Sequence, residues 1–141
     1  MIAVASLAMQ AVAQSPHFAS VSVRELNLPE TYFECWSPWV AGKKKHFALG
    51  IERRNRVYWI GIGDSPLRDL LDAPIRQAAA RRDGKHKVFR LLTSDAKRHS
   101  HATVLVTLGY ARSASFRLQA AKTFYEATCT DVLPRKAEDK Q

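Results

Sequence analysis

Asp64-Ser65-Pro66-Leu67-Arg68-Asp69-Leu70-Leu71-Asp72-Ala73-Pro74-Ile75-Arg76-Gln77-Ala78-Ala79-Ala80-Arg81-Arg82-Asp83-Gly84 is the stretch on which the fold turns. Asp64 and Ser65 are helix-capping residues, and Pro66 suits the first helical position. Leu67, Leu70, Leu71, Ile75, Ala78 and Ala79 then recur at helical spacing, and Arg81, Arg82 and Gly84 are residues with which a helix ends. Pro74 must kink this helix or split it in two. Read this way, the centre of the chain is helical and the protein is of mixed class.

The flanks supply the sheet. Residues 47–52 and 57–62 are apolar and β-branched and enclose the polar turn Arg53-Arg54-Asn55-Arg56, which predicts a β-hairpin near 47–62. Residues 17–28 alternate briefly around Phe18, Val21 and Val23, and suit a short strand or a helix end equally. The aromatic run 32–40 contains Pro38, which argues against a central strand. Gly42 with Lys43, Lys44 and Lys45 makes a turn. Further on, 87–92 reads as a short strand, 102–108 is open to helix or strand, and 116–127 reads as a helix. The expected architecture is α+β: a single globular domain over 1–133, a small antiparallel sheet packed by helices, and a polar tail over 134–141. A chain of 141 residues buries roughly 68–70% of its unfolded surface, enough for a core without staples.

Composition narrows the class. At 46% hydrophobic and 25% charged the chain is neither disordered nor membrane-spanning, and no apolar run approaches the roughly 18–20 residues of a spanning helix. The net charge is +9, and it is concentrated. Residues 43–98 hold fifteen Lys and Arg against six Asp and Glu, whereas 1–42 carry −2 and 99–141 carry +2. Such a block predicts attraction to a polyanion. Residues 1–14 are apolar and alanine-rich. They read as a short buried helix or as a signal-like segment ending at Ala11-Val12-Ala13, and the lack of Lys or Arg ahead of the apolar part favours the helix. Cys35 and Cys129 follow that choice: free buried thiols in a cytoplasmic chain, a disulfide in a periplasmic or secreted one.

Arg98-His99-Ser100-His101-Ala102-Thr103, continuing into Val104-Leu105-Val106-Thr107-Leu108-Gly109, resembles part of a box found in the tyrosine recombinase (phage integrase) family. The order of hairpin, Ser-Pro helix, short strand and box adds to the resemblance. It implies a catalytic domain in which two arginines and a histidine clamp a scissile phosphate while a tyrosine attacks it, because charge on phosphate oxygens is best met by fixed cationic donors. The resemblance assigns these roles to Arg24, Arg98, His99 and Tyr125, with a lysine of 43–45 or an arginine of the hairpin turn as the hairpin cation. The sequence departs from the pattern at Asp95 and Lys97, and the later Leu-Gly-His element is absent.

Other chemistry is thinner. Gly109-Tyr110-Ala111-Arg112-Ser113 is similar to a serine-recombinase motif but stands at the wrong end of the chain. His99 and His101 lack accompanying ligands, so no metal and no cofactor is expected. His46, His86, His99 and His101 offer acid–base groups for RNA cleavage but nothing that pairs them. Trp36, Trp39, Tyr58 and Trp59 are aromatics for a core or for stacking on bases. The expected function is nucleic-acid binding, to DNA or RNA, through phosphate contacts from Lys43, Lys44, Lys45, Arg53, Arg54, Arg56, Lys97 and Arg98. Any enzymatic activity would be strand transfer or phosphodiester cleavage, and binding without catalysis is preferred. The partners expected are nucleic acid and other protein subunits, in the cytoplasm. The alternative is an exported partner-binding or inhibitory protein with a Cys35–Cys129 disulfide.

Overall fold

The computed structural model describes residues 17–38, 42, 44–64, 68–109 and 111–132, and nearly all of them lie in strands. The strands are β1 (Ala19–Val21), β2 (Thr31–Trp36), β3 (His46–Arg54), β4 (Val57–Asp64), β5 (Arg68–Asp83), β6 (His86–Asp95), β7 (Ser100–Leu108), β8 (Ser113–Ala120) and β9 (Thr123–Asp131). Among the described residues the sole helical turn is a 3-10 turn at Val23–Glu25. From β2 onward each strand pairs antiparallel with the next, and β9 returns to pair with β2. Eight strands therefore close into an up-and-down barrel. The short β1 pairs with residues 78–80 of β5, beyond the point where β4 ends its pairing at Pro74.

The expected α+β class, with helices packing a small sheet, is thus corrected: the chain is an all-β barrel. The central stretch misleads for a physical reason. Leu71, Ala73 and Ile75 point inward while Asp72, Pro74 and Arg76 point outward, which is the period of a strand. Register shifts between Ile62 and Gly63 and between Ile75 and Gln77 then reset the phase. Two adjacent leucines and an alanine run at three- and four-residue intervals result, and they imitate a helix. Pro74 sits where β5 passes from β4 to β6, a position that needs no ladder donor; its carbonyl accepts a hydrogen bond of 2.6 Å from Thr93 Oγ1.

The predicted hairpin is present as β3 and β4. Residues 116–127, expected to be helical, instead form most of β8 and β9 around a turn at Ala121 and Lys122. Residues 102–108 belong to β7, with Ala102, Val104 and Val106 buried. The segments 1–14 and 134–141, on which a signal-like or helical start and a polar tail were expected, lie outside the described residues.

Phe33, Phe47, Leu49, Ile51, Ile60, Ile62, Leu71, Leu91, Val104 and Leu118 fill the lumen, each all but inaccessible. Side chains of this size fill an eight-stranded barrel, and burial stabilises by about 1.5–3 kcal/mol for each such residue. One end is plugged by Leu26 and Leu28 from the segment between the 3-10 turn and β2. Tyr58 fixes that plug: its hydroxyl accepts from Leu28 N at 2.9 Å and donates to Leu28 O at 2.6 Å.

Cys35 and Cys129 face each other across β2 and β9 and form a disulfide, in place of the free buried thiols of the cytoplasmic reading. The seam it joins has four register pairs, fewer than the eight of β3–β4 or the nine of β6–β7. The bond therefore ties the first and last strands of the ring where the ladder is shortest. No helix among the described residues is long and apolar enough to cross a membrane.

Candidate functional site

The meander sends alternate turns to opposite ends of the barrel, and this divides the basic block. Arg53, Arg54 and Arg56 belong to the β3–β4 turn at the plugged end. Lys44 and Lys45 precede β3 at the other end, which also carries Lys97 and Arg98 in the β6–β7 turn. Lys43 lies outside the described residues. The cations expected to form one phosphate-binding surface therefore stand in two groups.

Within each group carboxylates hold several of them. Arg54 forms a bidentate contact with Asp72 at 3.0 and 3.3 Å and a second with Glu52 at 2.7 Å, and its guanidinium lies 4.6 Å from the Trp59 ring centroid. Lys45 pairs with buried Asp64 at 3.4 Å and lies over the Tyr125 ring. Arg98 donates to Asp95 at 2.8 Å and to Asp69 at 3.4 Å. Asp95 organises the whole β6–β7 turn, accepting also from the backbone N–H groups of Asp72, Lys97 and Arg98. Burial opposes its ionisation, but those hydrogen bonds outweigh it and hold the carboxyl below the ordinary range.

The residues singled out through the recombinase resemblance are likewise separated. Arg98 and His99 share the β6–β7 turn, and Ala121 of the β8–β9 turn donates to His99 O at 2.9 Å, which brings the start of β9 to the same end. Tyr125 is half-buried there, its ring edge-on to Phe47 at 5.3 Å. Arg24 is exposed on the 3-10 turn that leads to the opposite, plugged end. Three of the four residues thus share one end of the barrel, and the first arginine does not join them. Among the described residues no His, Cys, Asp or Glu cluster suits a metal.

A recess lies elsewhere, on the outer face of β6 to β9 and β2: a trough of about 740 Å³ whose lining includes Phe18, Trp36, Arg90, Ser115, Arg117 and Thr128. The ladder sets one outward row across its floor, Arg90 opposite Leu105, Leu105 opposite Ser115, Ser115 opposite Thr128 and Thr128 opposite Trp36. Arg117 pairs with Glu126 at 2.8 Å beside that row. Trp36 is 45% exposed and tilts against His46, ring centroids 4.5 Å apart. Of these residues the sequence points to Trp36 as an aromatic for a core or for stacking, to His46 as an acid–base group, to Leu105 within the recombinase-like stretch and to Phe18 within an alternation. The row itself becomes visible only once the register of five strands is known. Comparison with protein-family models, curated protein sequences and solved structures finds no match.

Proposed function

We propose that this chain is an exported binding protein, a disulfide-stapled barrel that engages its partner through its outer surface and carries out no reaction. The observation that carries this reading is the buried Cys35–Cys129 disulfide at the closing seam of the ring. Structural disulfides of this kind persist in oxidising compartments and are rare in the cytosol. The signal-like Ala11-Val12-Ala13 supports the same reading. The filled lumen directs binding to the outside, where the trough supplies rings, hydroxyls and guanidinium groups. The scatter of the site residues expected from the recombinase resemblance supports binding over catalysis.

The test is the intact mass of the protein recovered from its native host, with thiols alkylated before any reduction. Export predicts a chain shortened to start near Gln14, unalkylated, and lighter by the two hydrogens of one disulfide. A full-length chain carrying two alkyl groups would overturn the reading.

A further inference from the structure

Arg81 of β5 and Arg90 of β6 close on a single aromatic ring. In the ladder Arg81 stands opposite Val88, and Ala79 opposite Arg90, so the two arginines are diagonal neighbours. Both project from the outer face, since Ala78, Phe89 and Leu91 take the alternate, core-facing positions. Their guanidinium carbons lie 4.9 and 4.7 Å from the centroid of Phe18, so the two charges are held within twice that distance of each other.

What marks this pair is that the two charges share one ring with no counter-charge between them. Arg54, Arg98, Arg112 and Arg117 each lie against a carboxylate. Among the described residues no carboxylate forms an ion pair with Arg81 or Arg90, and Arg81 Nε is buried without a hydrogen-bond partner. Two close like charges repel, and the contact with Phe18, at about 0.5–2 kcal/mol for a cation on a ring, meets neither the repulsion nor the unused donors. An oxyanion set between the two guanidinium groups offsets the repulsion and accepts from their terminal N–H groups.

Arg90 also begins the outward row that crosses the trough to Trp36. Five strands spaced about 4.8 Å apart place those two residues roughly 15–20 Å from each other. The floor strands β7, β8 and β9 are each paired on both sides, so an extended peptide cannot add as a strand on the floor. Among the described residues the trough has one well-exposed ring, Trp36, where successive unpaired bases would need several stacking platforms. Hydroxyls on the floor (Thr103, Ser115 and Thr128), a ring at one end and two uncompensated guanidinium groups at the other suit a chain of hydroxylated rings bearing an oxyanion. We propose that the trough binds an anionic polysaccharide, its sulfate, phosphate or carboxylate at Arg81 and Arg90 and its sugar rings laid over the floor toward Trp36. The proposal deepens the reading as an exported binding protein, naming the ligand class and the surface.

The test is titration calorimetry of the full, oxidised chain at about 0.15 M ionic strength, with dextran sulfate and polygalacturonate as anionic probes. Neutral dextran, single-stranded DNA and polyglutamate serve as comparisons. The expected result is binding of at least one anionic polysaccharide. Arg81→Gln with Arg90→Gln should weaken it about tenfold or more, through lost charge-assisted hydrogen bonds, and Trp36→Ala about threefold, through the lost ring face. Arg53→Gln with Arg56→Gln, which removes the same charge outside the trough, should change it less than about twofold. Trp36→Ala leaves the arginines in place, so it reads the trough even if the double variant folds poorly. The proposal falls if neither polysaccharide binds, if the two double variants weaken binding equally, or if DNA or polyglutamate binds more tightly at the same residues. Binding in vitro does not depend on the compartment, so a full-length, reduced chain in the host would remove the export reading and leave this result standing.

Discussion

Tyr58 shows how one hydroxyl can hold a fold closed. It satisfies both the N–H and the C=O of Leu28 within the plugged end of the barrel. Tyr58→Phe leaves two buried backbone groups unpaired and should cost about 1–3 kcal/mol in urea denaturation; an unchanged midpoint would show that water replaces the hydroxyl. Asp95 acts at the other end, where it gathers three backbone N–H groups and Arg98. Because its folded-state pKa lies below the ordinary value, its contribution is fully present above the unfolded value of about 3.9 and is lost as pH falls through the folded one. Asp95→Asn should therefore be less stable than the parent by about 1–3 kcal/mol near neutral pH, with the gap closing toward about pH 2. A gap of equal size at both pH values would sink this account of the turn.

At the scale of elements, the β3–β4 hairpin turns on Asn55 and Arg56, both with positive φ, at 52° and 71°. A two-residue turn of this hand prefers glycine second. Left-handed geometry costs a residue with a Cβ about 1–2 kcal/mol, and the freedom glycine adds to the unfolded chain offsets about 0.5–1 kcal/mol of the relief. Arg56→Gly should accordingly raise the melting temperature by about 2–5 °C, and a fall would mean that the arginine side chain contributes more than its backbone costs. This hairpin was legible in the sequence because both strands keep period two up to a polar turn. The β8–β9 hairpin was not, since its turn at Ala121-Lys122 carries no Gly, Pro, Asn or Asp, although Ala121 too has positive φ, at 54°. Strand β5 was hidden by its two register shifts. Arg81, which the helical reading placed at a terminus, becomes an outward strand residue beside Arg90. The candidate trough was hidden for the same reason, because it is made by register and not by any contiguous motif.

For the whole molecule the decisive element is the ring and its short seam. The disulfide spans 94 residues, and constraining a loop of that size contributes roughly 4–5 kcal/mol in the chain-entropy account. Domains are stable by only about 5–15 kcal/mol, so reduction, or Cys35→Ala with Cys129→Ala, should remove a large part of the total and lower the guanidinium midpoint markedly. Equal midpoints for the oxidised and reduced chains would contradict the stapling role. The net charge of +9 is distributed by the same ring. Alternate turns carry cations to opposite ends, and two arginines are left together on the outer wall.

The closed barrel depends on residues 68–83 running as one strand between β4 and β6, and NMR contacts between backbone protons test this most directly. The account predicts cross-strand contacts along β5–β6, Ala80 with Phe89 and Ala78 with Leu91, together with those of Cys35 with Cys129 at the seam. Sequential amide-to-amide contacts through 68–82, as in a helix, with no contact from this stretch to β6, would contradict it.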